Sequence, residues 1–187
     1  MRNLKSIALA LVALVTFSAT AQTKKINVSK STINWTGKKV TGEHSGTIDF
    51  KEGNLTFKNG YLKGGSFTVD MTTINTTDLK GEWKEKLDGH LKAEDFFGVD
   101  KFKTATLVFK NISTKNKTNY TVTADLTIKG ITKPVTFDIV INGNAASSVV
   151  KIDRTKYDIK YGSGSFFTDL GDKTINDEFE LKINLAW

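Results

Sequence analysis

The sequence predicts an all-β chain with one short helical interruption, and three observations carry that expectation. Apolar side chains recur at every second position through most of the chain after residue 22, the period of a half-buried strand. Turn dipeptides separate these runs at short intervals: Glu52-Gly53, Asn59-Gly60, Lys129-Gly130 and Asn142-Gly143. One segment, Asp78 to Leu91, loses the alternation and places Trp83, Leu87 and Leu91 four residues apart. The runs and turns add up to about eight or nine strands, mostly antiparallel neighbours. Each strand has one apolar and one polar face, so the sheet closes on itself or folds into a sandwich. A barrel also removes the exposed edges.

The elements follow in chain order. Arg2 and Lys5 precede an apolar run from Ile7 to Phe17, and Ala19 and Ala21 then stand at the spacing of an A-x-A cleavage site. The run is too short to span a bilayer, so residues 1–21 read as a secretory signal peptide cut after Ala21, and residues 22–187 as one domain. TINWTG sets Ile33 and Trp35 on one face, and SFTVDM sets Phe67, Val69 and Met71. The helix spans Asp78 to Leu91, with Asp78 as its N-cap, and its Trp83–Leu87–Leu91 stripe lids one end of the barrel. AEDFF then returns the chain to strand. YTVTADLTI aligns Tyr120, Val122, Ala124, Leu126 and Ile128 opposite Thr121, Thr123, Asp125 and Thr127. Pro134, the single proline, opens a strand in which Val135, Phe137, Ile139 and Ile141 share a side. The last strand is the clearest, with Phe179, Leu181, Ile183, Leu185 and Trp187 facing one way.

Composition narrows the chemistry. There is no cysteine, which excludes thiol catalysis, cysteine-ligated zinc and disulfides; an exported domain of this size then holds together by burial alone. The net charge is +7, but the lysines are scattered rather than massed, which favours a solvated basic surface over a nucleic-acid stripe. The two histidines, His44 and His90, lie in distant segments without metal-ligand spacing. Ser66, Ser163 and Ser165 lack a nucleophile-elbow pattern, and the glycine-rich GSGSFF (162–167) is not followed by P-loop residues. The carboxylate pairs Glu94-Asp95 and Asp177-Glu178 are adjacent, and neighbours on a strand point to opposite faces. No catalytic constellation emerges, and neither a cofactor nor a metal is expected. Twelve phenylalanines and three tryptophans fall mostly on the inward register, where they either fill the barrel or line an apolar bore.

Three stretches, LKGGSFTVDM, DGHLKAEDFFGVDKFKTATLVF and YTVTADLTIKGITKPVTF, together resemble the YceI-like family of bacterial periplasmic and secreted proteins. The later RTKYDIKYGSGSFFTDLGDKTINDEFEL looks like the branch common in Bacteroidetes, and the resemblance runs over about residues 26–187. It implies an extended, lipocalin-like, eight-stranded antiparallel β-barrel with a short helix near one end. It further implies binding of an isoprenoid lipid, polyprenyl or isoprenoid quinone, without catalysis. On that expectation Trp35, Phe67, Val69, Phe96, Phe97, Leu126, Phe137 and Leu181 line the pore. His44 of the G-x-H-x-G turn, His90 of the D-x-H-L signature and Arg154 of the R-x-x-Y segment are the candidates to meet a polar head at the rim. A transient membrane contact and a homodimer are both compatible with such a protein, and nucleic acid is not an expected partner. Two alternatives stand beside it: an outer-membrane β-barrel, suggested by the terminal aromatic Trp187, and a metal-assisted enzyme using His44 and His90.

Overall fold

The computed structural model describes residues 20–114 and 116–187, so the expected signal peptide falls almost wholly outside the described residues. Among the described residues nine strands form: β1 (Gln22–Lys25), β2 (Thr32–Lys39), β3 (Gly42–Lys58), β4 (Tyr61–Thr76), β5 (Thr104–Thr114), β6 (Asn119–Ile128), β7 (Ile131–Asn142), β8 (Ala145–Asp153) and β9 (Ile175–Ala186). One helix, α1 (Gly81–Lys92), lies between β4 and β5, and short 3-10 turns occupy Val28–Lys30, Arg154–Tyr157 and Gly171–Lys173. Every pairing is antiparallel, in the order β1-β3-β2-β9-β8-β7-β6-β5-β4, and pairing of β3 with β4 closes the sheet. β1 and β2 bond the same edge of β3 one after the other, at residues 54–57 and 42–48, so the barrel is eight-stranded with β1 as an extra strand. β3 and β4 run for 17 and 16 residues. At about 3.3 Å per residue they make the barrel long rather than round.

The alternation read from the sequence is realised most clearly in β6 and β7. Val122, Ala124, Leu126 and Ile128 are buried inside, against Phe137, Ile139 and Ile141. On the outer surface hydroxyl pairs bridge the same two strands: Thr121 donates to Asp138 at 2.7 Å, and Thr123–Thr136 and Thr127–Thr132 pair at 3.1 and 2.8 Å. The apolar face therefore points inward and the polar face outward. A membrane-spanning barrel has the opposite sense, which removes the physical case for that alternative.

Five local expectations are corrected. Glu52-Gly53 is not a turn; β3 runs through it, and a register shift against β4 between Phe50 and Glu52 absorbs the irregularity as a bulge. Asp78 does not cap α1, which starts from extended Lys80 without a side-chain cap; Asp78 instead accepts hydrogen bonds from His44 and the Ser45 amide. Trp83 does not face the barrel. The packed side of α1 is Lys84, Leu87, Asp88 and Leu91, while Trp83 is 71% exposed. Phe96 and Phe97 lie in a turn rather than a strand, so both point the same way instead of alternating. Pro134 sits three residues into β7, where β8 does not yet pair and the strand has an open edge that tolerates a missing N–H.

Asp88 fastens the helix to the barrel. One of its oxygens accepts the Thr76 amide at 2.7 Å and the other accepts from the Lys84 ammonium. Burial opposes ionisation of Asp88, but these bonds outweigh it and hold the carboxyl below its usual range. A folded pKa below the unfolded one means this stabilisation is present at neutral pH and is lost as pH falls through the depressed value. Replacing Asp88 with Ala is expected to cost about 1–3 kcal/mol in urea denaturation, because the Thr76 amide loses its acceptor. The penalty should shrink on acidification below the ordinary carboxylate range.

Candidate functional site: a two-chambered apolar bore

The antiparallel register sorts the connections into two ends. The β2–β3 turn, α1, the β6–β7 turn and the long β8–β9 connection gather at one end, while the β3–β4, β5–β6 and β7–β8 turns gather at the other. Inside, two cavities lie along the barrel. The wider, of about 140 Å³, is at the helix end and is lined by Trp35, Met71, Ile74, Leu91, Phe96 and Phe97 among others. The narrower, of about 80 Å³, is lined by Phe50, Phe67, Phe109, Phe137 and Ile139 among others. A single water needs only about 10–15 Å³ on this scale, so neither is a packing defect. Ile33, Val69, Leu126, Ile152 and Leu181 line both cavities and form the neck between them. The two chambers thus lie end to end along the bore with a shared wall.

Aromatic rings shape both chambers. In the narrow one Phe50, Phe67, Phe109 and Phe137 form a chain of contacts with centroids 5.7–5.9 Å apart. In the wide one Phe96 packs edge-on against Phe97 at 5.1 Å, and Phe97 against Phe179 at 6.2 Å. These spacings suit tilted aromatic pairs. Trp35 keeps its polar handle out of the bore by donating its indole N–H to the Thr47 carbonyl at 3.2 Å.

All eight apolar residues expected in the pore line this bore. Phe67 and Phe137 stand in the narrow chamber, Trp35, Phe96 and Phe97 in the wide one, and Val69, Leu126 and Leu181 at the neck. The three polar candidates part company. Arg154 lines the wide chamber, but its guanidinium, only 2% exposed, already donates to the carbonyls of Asn176, Ile159, Tyr161 and Ile175 at 2.8–3.0 Å. Burial pulls its pKa down, while Asp177 (3.7 Å from Nη2) and Asp153 push it back up. His90 stands behind the wall, its ring edge-on to Tyr161 at 4.4 Å and to Phe96 at 5.3 Å. His44 lines neither chamber; its Nδ1 meets Asp78 at 2.8 Å and ties β3 to the link before α1. Burial opposes the charge on Asp78, yet the His44 and Ser45 bonds keep its carboxyl below the usual range. Among the described residues no three His, Asp or Glu side chains gather closely enough to hold a metal ion.

In the same 3-10 turn as Arg154 lies Tyr157, 1% exposed, whose hydroxyl is buried without a hydrogen-bond partner among the described residues. Burial, followed by the Asp153 charge, pushes its pKa up to about 12. An unpaired buried hydroxyl costs more than it contributes. Tyr157→Phe is therefore expected to leave stability unchanged or raise it by up to about 1 kcal/mol, measured as the urea midpoint.

The comparisons with known proteins agree with this geometry. A crystal structure of BcnA from Burkholderia cenocepacia superposes with a TM-score of 0.69 at 21% identity, covering 87% of this chain and 99% of that one. The YCEI protein of Campylobacter jejuni superposes at 0.55 with 17% identity, covering 98% and 92%. A polyisoprenoid binding domain from Saccharophagus degradans superposes at 0.57 with 11% identity, covering 90% and 98%. At these identities the likeness shows the fold. In sequence, a UPF0312 protein of Staphylococcus aureus (strain USA300) is 43% identical over 76 residues, 41% of this chain. The match spans 38% of that relative's own length. The YceI-like domain matches residues 25–187, nearly everything after the expected leader, and the chain accordingly belongs to the YceI-like family.

Proposed function

We propose that this protein is a carrier for an isoprenoid-like lipid, a polyprenyl chain or the tail of an isoprenoid quinone, held in the two-chambered bore. The observation that carries this reading is a pair of apolar cavities that share five wall residues along the barrel, with Arg154 and Asn176 as a polar fringe at the helix end. Each methylene taken out of water contributes about 0.8 kcal/mol, so a few isoprene units bind tightly without a polar contact. The Saccharophagus degradans neighbour, described as a polyisoprenoid binding domain, supports the same ligand class. The tail occupies the narrow chamber and the neck, and the head lies in the wide chamber. There Arg154 supplies positive charge rather than a free donor, because four carbonyls already hold it. His90 backs Phe96, and His44 steadies the rim. The N-terminal sequence supports export, with the carrier working in the periplasm or outside the cell.

The test is mass spectrometry of an organic extract of the purified protein, paired with uptake of polyprenyl probes of graded length. A co-purified isoprenoid, or saturable uptake that strengthens with chain length, is expected. An empty extract together with no uptake would sink the proposal.

A further inference from the structure

GSGSFF has no part in the bore, yet it is built with care. Ser163 is fully buried, its carbonyl accepts the amides of Phe166 and Phe167 at 3.1 and 3.0 Å, and its hydroxyl accepts the Ser165 amide at 3.2 Å. The Ser165 hydroxyl donates to Asp177 at 2.6 Å. This ordered turn leaves Phe166 and Phe167 half exposed, at 51% and 50%.

They are not alone. Among the described residues nine large apolar side chains are exposed, and the four aromatic ones, Trp83, Tyr161, Phe166 and Phe167, all belong to α1 or to the β8–β9 connection. Val40, at 64% the most exposed of the aliphatic ones, sits in the β2–β3 turn at the same end. The remaining four are single valines elsewhere on the barrel, an ordinary scatter. Tyr161 packs on His90, which lies two helical turns from Trp83 on the same side of α1, so helix and loop present one rim. Ammonium groups sit over two of these rings: Lys86 is 5.1 Å from the Trp83 centroid and Lys160 is 5.2 Å from that of Phe166. Each lysine also has a carboxylate partner, Glu82 and Asp158 respectively, so the rim is locally balanced within a chain that is basic overall.

We infer that this aromatic rim is a docking surface for a lipid bilayer carrying anionic headgroups, with the Trp83, Phe166 and Phe167 rings inserting at the interface. Amphipathic rings flanked by lysines suit the headgroup boundary, where the ring is buried and the ammonium stays wet. The basic chain is attracted to an anionic leaflet, and the aromatic rim decides which end meets it. Docking there presses the mouth of the wide chamber against the membrane. The choice of a membrane over a protein partner rests on the lipid-carrier reading.

The experiment is co-sedimentation of the purified protein with phosphatidylglycerol–phosphatidylcholine vesicles and with phosphatidylcholine vesicles. Quenching of tryptophan emission by brominated lipid is read in parallel. Wild type is expected to pellet with the mixed vesicles, less so at high salt, and to be quenched. F166S/F167S and W83S should each lose at least tenfold in partitioning while keeping wild-type circular dichroism, melting temperature and polyprenyl uptake. Equal pelleting of variants and wild type, or no pelleting of wild type, overturns the inference. So does a dimer that these substitutions abolish in a protein that ignores vesicles, since the rim is then a contact between copies. The two proposals fail separately: a protein that pellets but carries no lipid loses the carrier reading, and one that carries lipid but ignores vesicles loses the docking surface.

Discussion

Replacing Arg154 with Met is expected to lower the unfolding free energy by about 3–5 kcal/mol, the range for removing one partner of a buried charged network. The side chain is almost fully buried and satisfies the carbonyls of Ile159, Tyr161, Ile175 and Asn176 at once. Two of those carbonyls, of Ile159 and Tyr161, belong to the first limb of the β8–β9 connection and two, of Ile175 and Asn176, to the start of β9, so one guanidinium ties the loop to the strand it enters. A buried carbonyl left without a donor costs about 1–3 kcal/mol, and local opening to water keeps the sum below four full penalties. Asp177 loses its countercharge as well. Its burial disfavours the carboxylate, and the Ser163 and Ser165 hydroxyls together with Arg154 hold its pKa below the ordinary range in the native protein. That stabilisation exists above the unfolded carboxylate pKa and disappears as pH falls through the lower folded value, so the variant's deficit should narrow in acid. Urea denaturation with an unchanged slope is the measurement. Arg154→Lys is the informative control: it keeps the charge, but a single ammonium cannot reach the four acceptors that a planar fork reaches. A Lys variant as stable as wild type would show that charge, not geometry, closes the loop.

Arg154 also marks where sequence reasoning stopped. Motif resemblance singled it out as a residue that meets the ligand head, and nothing in a linear sequence tells a buried arginine committed to main-chain carbonyls from one that awaits a phosphate. The barrel itself was legible wherever the pleat is regular. β6, β7 and β9 alternate without interruption, and their inward rows reappear as the wall of the bore. Phe50 and Phe109 line the narrow chamber too, and each ends a short alternating run, Ile48–Phe50 and Ala105–Leu107–Phe109, that breaks directly after it. β3 is bulged between Phe50 and Glu52 and β5 between Phe109 and Asn111, and one extra residue shifts every side chain beyond it to the other face. The helix was placed within a few residues, but its face was misjudged. Spacing makes Trp83 equivalent to Leu87 and Leu91, whereas the polar anchor Asp88 decides which side packs and turns Trp83 outward. Glycine carries a further signal that only geometry exposes. A Cβ on Gly46 would lie 2.0 Å from the Asn75 carbonyl and 2.6 Å from the Trp35 ring, so that residue is small to let an aromatic wall of the wide chamber lie flat on the sheet.

The second large effect concerns the neck. Leu126 faces both chambers from near the C-terminal end of β6, sharing the neck with Val69 and Leu181, and a ligand longer than one chamber has to pass it. Leu126→Trp should close that passage while leaving the wide chamber open to a short chain. Shutting a five-carbon unit out of the narrow chamber forfeits about 4 kcal/mol of apolar burial, roughly a thousandfold in affinity. Affinity measured against isoprenoid alcohols of increasing length should therefore climb in wild type and flatten in the variant, with the shortest probe nearly unaffected. Overpacking is expected to cost about 1–3 kcal/mol of stability, less where the indole fills space that is already empty. If the indole instead prevents folding, Val69→Phe narrows the same neck from β4 with a smaller change in volume, and the same flattening is expected there. The length profile separates a threaded ligand from one lodged at the mouth, which a single affinity does not. A folded Leu126→Trp protein that binds the longest probe as tightly as wild type would mean that the chain never passes between Val69, Leu126 and Leu181, and that the narrow chamber is void rather than site.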